Sequence, residues 1–387
     1  MRRPAVPFAL AVLAVAAFAG LRPSPADAQP AGVTLPPSGD NQRSRVTQQL
    51  GLVEVSIEYS SPDVHAPDGT DRRGKIWGEL VPWGGSDLGY GPCGKECPWR
   101  GGANENTVFA VDHDVLVQGQ PLPAGRYGLH FFPGPEQWTV VFSKHATGWG
   151  SYFYDPRQDA LRVQATPRKN AYREWLAYDF TDRQLDRATV ELQWEELALP
   201  IEIRVADMTG LYVENLRREL QTGAAFTHAA WLGAARFCLE RKVNLPEAET
   251  WAERAVRDDF VGRRTFEALT LLADLQGANG KAEAAAKTMD EAIASSTAGP
   301  IEIHQYGRRL MREGKAKEAL AVFQLNARRF PDQWPVHVGL ARGYSGVGDL
   351  AKALVHARLA LKQAPDEVNR KALEKAVQTL EGGKPWS

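Results

Sequence analysis

The sequence contains little cysteine and has almost no net charge. Its 387 residues include three cysteines, and 46 basic residues nearly balance 47 acidic ones, which leaves a formal net charge of −1 at pH 7. A protein that binds nucleic acid needs a basic surface to displace counterions from the phosphates. The charge balance therefore argues against a nucleic-acid partner.

Long apolar runs are missing after the first 20 residues. The chain opens with Arg2 and Arg3, followed by an apolar run over 6–20 that is too short to cross a bilayer as a helix. Small residues then lead up to Ala28, as at a signal-peptidase site. We predict a signal peptide over 1–28, cleaved after Ala28, and a secreted or periplasmic protein without membrane insertion.

The N-terminal half has the two-residue periodicity of β-strands. A Pro/Gly/Ser-rich leader, predicted to be flexible, occupies 29–40. Val53, Val55 and Ile57 then alternate with polar residues, and further short runs of this kind follow with turn residues between them. Strands at this spacing without intervening helices predict an antiparallel β-sandwich-like or barrel-like domain, which we place at 41–206.

The C-terminal half contains an internal repeat. Gly280, Gly314 and Gly348 stand 34 residues apart, and a small alanine follows each glycine by five residues. This register resembles the tetratricopeptide repeat (TPR), in which stacked helix pairs form a solenoid. The resemblance implies that the glycine and the alanine allow two helices to cross closely. It also implies that a bulky residue nine places after the glycine, such as Phe323, fills the gap to the next unit.

The repeat predicts that this half is a helical solenoid. Together with the β domain, it predicts an α+β protein with two domains. A linking helix is expected over 207–228 and a solenoid over 229–383. A last helix, Asn369–Leu380, would cap the exposed apolar end, as solenoids require. The predicted repeats lie at roughly 229–262, 266–299, 300–333 and 334–367.

The β half contains several short motifs rich in tryptophan, glycine and proline. They are Lys75-Ile76-Trp77-Gly78, Leu80-Val81-Pro82-Trp83, Trp99-Arg100, Gly102-Ala103-Asn104-Glu105, Leu122-Pro123-Ala124-Gly125, Trp138-Thr139-Val140 and Tyr154-Asp155-Pro156. With these motifs the β half resembles a family of secreted bacterial proteins grouped under one domain of unknown function, whose members often carry TPRs behind it. The resemblance implies a β domain and export, but it implies no reaction. This chain departs from the family pattern by an insertion, Gly85–Pro98, which contains two cysteines.

The two cysteines of the insertion, Cys93 and Cys97, have two interpretations. In an oxidising compartment a disulfide between them would order the loop and leave Cys238 as a buried thiol. Alternatively, two soft thiolates could bind Cu(I), but the sequence places no third ligand such as His65 or His113. We predict the disulfide, with no metal and no cofactor.

A ligand site is one interpretation of the Trp/Gly-rich segment around the insertion. Exposed tryptophans can stack on a sugar or an aromatic ligand, and arginine with a carboxylate makes a directional pair. In the alternative interpretation Asn104 caps a turn, Arg100 pairs with Glu105 and the tryptophans fill the core. The candidate ligand-binding residues are Trp77, Trp83, Trp99, Arg100, Asn104 and Glu105.

A partner-binding groove is predicted in the solenoid. Equivalent positions on the first helix of each repeat fall on Phe237, Asp274, Arg308 and Arg342, and His304 and Arg312 share the face of Arg308. Guanidinium groups suit carboxylates, so an acidic or C-terminal peptide is the expected ligand. In the alternative, these arginines pair with local acids such as Glu302 and Glu313, and the face is simply solvated.

No catalytic signature stands out in the sequence. It has no H-E-x-x-H zinc motif, no G-x-S-x-G elbow and no phosphate-binding loop. His130 alternates with Leu129 and Phe131 and is predicted to face away from the core. We therefore expect a non-enzymatic interaction protein of the cell envelope that holds a protein or acidic peptide. The alternative is a β domain that binds or processes a small ligand or glycan.

Overall fold

A computed structural model describes residues 41–386, which form a β domain followed by a helical domain. The predicted signal peptide (1–28) and leader (29–40) lie outside the described residues. Within 41–386, none of the helices combines the length and the apolar content that a bilayer span requires.

Within the described residues, ten strands build the β domain. They are β1 (Gln42–Leu50), β2 (Val53–Ser61), β3 (Thr107–Val111), β4 (Val115–Val117), β5 (Gln120–Leu122), β6 (Gly125–Phe132), β7 (Trp138–Ser143), β8 (Asp159–Ala165), β9 (Arg168–Thr181) and β10 (Arg187–Arg204). A six-stranded sheet runs in the order β1-β2-β3-β6-β7-β8, and a four-stranded sheet in the order β5-β4-β10-β9. All these pairings are antiparallel, and the two sheets are separate rather than closed into one barrel.

The candidate ligand segment belongs to the long connection between β2 and β3. Trp99 anchors this connection on the sheet, because its backbone N–H and C=O both pair with Phe131 of β6 at 2.8 Å. Within the insertion, Ser86 and Cys97 exchange two backbone hydrogen bonds of 2.8 and 2.9 Å. The connection is therefore tied to the six-stranded sheet through main-chain pairing.

In the part of the chain that the structure describes, ten α-helices follow the strands. They are α1 (Met208–Glu219), α2 (His228–Arg241), α3 (Leu245–Arg257), α4 (Phe266–Ala278), α5 (Ala282–Ala294), α6 (Pro300–Arg312), α7 (Ala316–Arg329), α8 (Trp334–Gly346), α9 (Leu350–Lys362) and α10 (Glu367–Glu381). The helices pack as the pairs α2/α3, α4/α5, α6/α7 and α8/α9, and α10 packs on α9. The antiparallel β domain followed by TPR-like helix pairs confirms the predicted fold class.

The repeating glycines have a different physical role from the one expected. Gly280, Gly314 and Gly348 adopt φ values of 78°, 77° and 84°, the left-handed region that side chains other than glycine rarely occupy. A Cβ atom placed on any of them would meet nothing within 4 Å. They are needed for the turn between the helices of a pair, and not for a close helix crossing.

Close helix crossings depend on other glycines, which surround Phe323. This side chain is fully buried on α7. A Cβ atom added to Gly339 or Gly343 of α8 would lie 2.5 or 2.9 Å from its ring, and Gly307 of α6 is just as close to it. The aromatic residue of the 34-residue register therefore fills the gap between repeats, as predicted, because the neighbouring helices lack side chains there.

Candidate functional site

Two of the three candidate tryptophans are part of the core. The Trp77 ring centroid lies 5.8 Å from Trp99, 5.2 Å from Trp138 and 5.7 Å from Trp194, in edge-to-face arrangements. Trp138 and Trp194 are almost completely buried. Edge-to-face packing is the arrangement that aromatic quadrupoles favour. The four rings thus fill space at the end of the core, which is the alternative that the sequence left open for Trp77 and Trp99.

Trp83 lies apart from this cluster. Its side chain is 41% exposed. The indole lies over Gly78, and a Cβ atom on that residue would come within 2.5 Å of the ring nitrogen. Gly78 also has a φ of 92°, which residues other than glycine rarely adopt. Of the three candidate tryptophans, only Trp83 presents a large part of its ring to solvent.

Arg100 is half-buried, and no carboxylate of residues 41–386 pairs with it. Its guanidinium lies against Gly150, and it does not pair with Glu105 as the structural alternative expected. Among the described residues no acceptor makes a hydrogen bond with it. Burial lowers the pKa of Arg100, because desolvation penalises the charged form, whereas Tyr152 and Glu105 oppose this effect at longer range.

The other two polar candidates face elsewhere. Asn104 adopts a left-handed φ of 58° in the turn, where its Oδ1 accepts a hydrogen bond of 3.4 Å from Asn41. Glu105 accepts a hydrogen bond of 3.4 Å from the Ser60 hydroxyl and lies 3.8 Å from the guanidinium of Arg43. The structure therefore does not bring Arg100, Asn104 and Glu105 together as one polar centre.

The insertion carries a disulfide and rests on a second loop. Cys93 and Cys97 are joined, with their Cα atoms 5.0 Å apart, and Cys238 is a fully buried free thiol. The Sγ atom of Cys93 lies 3.5 Å from the carbonyl oxygen of Ser151. Local sequence patterns predict no role for the loop 148–154. Its available signal was a density of glycine and aromatic residues similar to that of the insertion region.

A buried histidine lies under this second loop. His130 faces away from the apolar core, as predicted, but it is only 3% exposed because the loop covers it. Its Nδ1 is 3.2 Å from the hydroxyl of Ser151. Burial lowers the pKa of His130 to about 3, and the neighbouring His145 adds to the effect. Strand alternation alone could not predict that a loop would cover this side chain.

The histidines considered as third copper ligands pair with carboxylates. His65 Nδ1 is 2.9 Å from Glu174, and His113 Nδ1 is 2.8 Å from Asp112. Within the described part of the chain, no three His, Cys, Asp or Glu side chains are grouped so that they could hold a metal ion.

The candidate groove residues lie on α6 and α8, which pack side by side. Arg308 and Arg312 are exposed and Arg342 is half-buried. Burial lowers the pKa of Arg342 to about 10, and the positive charge of Arg308 contributes to that shift. Burial also lowers the pKa of His304 to about 4, with further contributions from the charges of Arg308 and Arg342. Arg308 and Arg342, beside the neutral His304, thus form one electropositive surface, which we call the arginine wall.

The arginine wall is not neutralised by local acids. Glu313 lies 3.7 Å from Arg309 and 2.9 Å from Lys315, instead of pairing with the wall. In the described residues no carboxylate lies within the 4.0 Å ion-pair distance of Arg308, Arg312 or Arg342. The alternative of a solvated face required these arginines to pair with local acids, and the structure does not show that pairing.

The groove positions of the first two repeats, Phe237 and Asp274, contact other residues of the helical domain. Asp274 accepts hydrogen bonds of 2.7 and 3.0 Å from Arg309. Phe237 packs on Tyr212 of α1 with ring centroids 5.7 Å apart, and the guanidinium of Arg241 lies over its ring. Only the last two repeats therefore present unpaired charge at the equivalent positions.

One protein family matches the β half of the chain. Residues 41–203 match the family described as "Protein of unknown function (DUF2911)". A comparison with curated proteins finds no match.

Solved structures that are similar to part of this chain include TPR proteins. MamA is 16% identical, with 43% of this chain and 91% of that chain covered at a TM-score of 0.32. YrrB, "a TPR protein with an unusual peptide-binding site", is 20% identical, with 44% and 89% covered at a TM-score of 0.29. TTC0263, a TPR protein from Thermus thermophilus, is 19% identical, with 44% and 91% covered at a TM-score of 0.30. Residues 41–203 are thus similar to the DUF2911 family, and the helix pairs that follow have a TPR-like arrangement.

Proposed function

We propose that this protein is an exported, non-enzymatic scaffold of the cell envelope whose helical repeats hold an acidic peptide segment of a protein partner. The observation that carries the proposal is the arginine wall, in which Arg308 and Arg342 occupy equivalent places on neighbouring helices without a carboxylate partner. The peptide would lie along the face formed by the first helices of the repeats.

The chemistry of the wall favours carboxylates. Guanidinium groups present planar sets of N–H donors that match a carboxylate in a bidentate arrangement. Arg342 remains charged at neutral pH although burial lowers its pKa to about 10. Two cations close together repel each other, so a ligand that brings negative charge relieves that repulsion on binding. An acidic side chain or a free C-terminal carboxylate would supply it.

A pair of peptide pools tests this proposal. Short labelled peptides of random sequence, rich in Asp and Glu, are compared with a pool in which Asn and Gln replace the acids. Fluorescence anisotropy with the full chain is expected to show binding of the acidic pool and at least about tenfold weaker binding of the amide pool. Binding of the acidic pool should weaken as salt concentration rises, because screening reduces the attraction at an exposed wall.

Matched charge reversals locate the binding surface. The double variant Arg308→Glu/Arg342→Glu should abolish binding of the acidic pool. The control Lys317→Glu/Arg328→Glu makes the same change in net charge on exposed positions of α7 and should leave binding near the wild-type level. Equal loss in both variants would mean that net charge alone attracts the peptides, and it would contradict a specific groove.

Export is the second part of the proposal, and it depends on residues 1–28. Expression of the full-length gene in a bacterial host should place the mature protein in the periplasm or medium, with Gln29 as its N-terminal residue. A precursor that stays in the cytoplasm with Met1 intact would contradict export and leave the groove proposal untouched.

A further inference from the structure

A small cavity lies where the disulfide-bearing insertion meets the loop 148–154. It has a volume of about 150 Å³. The insertion contributes Ser86 and Leu88 to its lining, and the second loop contributes Ser151 and Tyr152. This volume is below the 300–1,000 Å³ that is usual for drug-sized ligands, so only a small molecule fits.

Arg100 lines the same cavity, and its guanidinium lies against Gly150 of the second loop. The side chain is half-buried, and among the described residues the guanidinium has neither a hydrogen-bond acceptor nor an ion-pair partner. A partly desolvated cation without a partner is unfavourable, because no protein group replaces the water that it has lost. Its planar donors are therefore available to an anion that enters the cavity.

We propose that this cavity binds a small organic carboxylate. The carboxylate would accept hydrogen bonds from Arg100, and its apolar body would lie against Leu80 and Leu88, which also line the cavity. A carboxylate matches the planar donor geometry of a guanidinium better than a single charged point would. The cavity lining thus offers a cation to the carboxylate and apolar side chains to the rest of the ligand.

The insertion is what encloses the cavity on one side. The disulfide between Cys93 and Cys97 closes a short ring, and Cys93 Sγ contacts the carbonyl of Ser151 on the opposite loop. Closing such a ring restricts the open forms of the loop. The disulfide would therefore hold Ser86 and Leu88 against the cavity and keep it preorganised for the ligand.

Isothermal titration of the full chain with benzoate tests the proposal, with benzamide and inorganic phosphate as comparison ligands. Benzoate should bind at one site per chain, and the uncharged amide should bind at least about tenfold more weakly. Arg100→Gln should remove benzoate binding, whereas Arg100→Lys should retain part of it. Reduction of the disulfide should weaken binding several-fold. Equal affinity for benzoate and benzamide, tighter binding of phosphate, or unchanged affinity after Arg100→Gln would overturn it.

A second variant covers the case in which Arg100→Gln does not fold. Leu88→Trp leaves the charge in place and fills the cavity, so it should abolish benzoate binding. Tyr90→Trp is its matched control, because Tyr90 belongs to the same insertion but is 65% exposed and does not line the cavity. Wild-type benzoate affinity in Leu88→Trp would overturn the proposal. Since the cavity lies in the β domain, these results are independent of peptide binding by the repeats.

Discussion

The indole of Trp386 stacks on the guanidinium of Arg342, 4.0 Å from its carbon to the ring centroid. Trp386 belongs to the segment after α10, and its backbone N–H donates a 2.6 Å hydrogen bond to the hydroxyl of Ser345 on α8. Stacking uses the face of the guanidinium and leaves the N–H groups at its edge. The contact therefore fixes the orientation of one of the two arginines on which the proposed groove depends.

Replacement of Trp386 by alanine is expected to weaken binding of the acidic peptide pool several-fold, because Arg342 would lose its fixed orientation. Trp386→Phe should bind nearly as well as wild type, since a phenyl ring also offers a face for stacking. Anisotropy titrations of the two variants check this. Tighter binding by Trp386→Ala would show instead that the segment blocks the arginine wall.

The tryptophan cluster predicts different effects for neighbouring tryptophans. Trp77→Ala should lower the free energy of unfolding of the β domain by about 3–5 kcal/mol, because it leaves a cavity among Trp99, Trp138 and Trp194. Trp83→Ala should cost about 1 kcal/mol or less, since Trp83 stands apart from the tryptophan cluster and is 41% exposed. Hydrogen exchange of the strand amides in the full chain measures both losses. Similar losses for the two variants would contradict the separation of Trp83 from the core.

The packing of Phe323 gives a test of the repeat interface. Gly339→Ala should destabilise the helical domain by about 1–3 kcal/mol, because its Cβ would overlap a fully buried ring. Gly233→Ala is the matched control on α2, where a Cβ meets nothing within 4 Å, and it should stabilise by up to about 1 kcal/mol through helix propensity. Thermal unfolding followed by far-ultraviolet circular dichroism distinguishes the two. A stabilising effect of Gly339→Ala would mean that the two helices are further apart.

Burial of His130 predicts a loss of stability in acid. Burial lowers its folded-state pKa to about 3, from an ordinary value of 6.5. Below pH 6.5 this histidine is protonated in the unfolded chain but stays neutral in the folded chain. The free energy of unfolding therefore falls as the pH drops towards 3. At pH 4.5 this amounts to roughly 2–3 kcal/mol relative to pH 7.

The variant His130→Gln isolates this contribution from that of the carboxylates. It should lose roughly 2 kcal/mol less than wild type between pH 7 and pH 4.5, even if it is somewhat less stable at pH 7. Hydrogen exchange of the slowest amides in β6 and β7 reports the difference. Parallel losses in the two proteins would show that His130 is not held neutral.

The regular parts of the fold could be predicted because local backbone chemistry repeats along the chain. Gly280, Gly314 and Gly348 mark the helix turns, since a left-handed residue is needed at each one. The alternation around Val55 likewise follows from a strand with one face on the core. In both cases the signal lies within a few residues of the feature that it predicts.

The site could be predicted only in part, because it depends on contacts between distant loops. The sequence grouped Arg100 with Asn104 and Glu105, which are its near neighbours along the chain. The structure instead places Arg100 beside Gly150 and the cavity lined by Ser151 and Tyr152. No periodicity predicts which loop covers another, so the role of 148–154 and the burial of His130 were missed.

The most direct test of the scaffold proposal is selection of binders from a random-peptide library by the immobilised full chain. The account predicts enrichment of peptides with acidic residues or a free terminal carboxylate, and loss of that enrichment with Arg308→Glu/Arg342→Glu but not with Lys317→Glu/Arg328→Glu. Enrichment of the same peptides by the Arg308→Glu/Arg342→Glu variant, or of sequences without negative charge by the wild type, would contradict it.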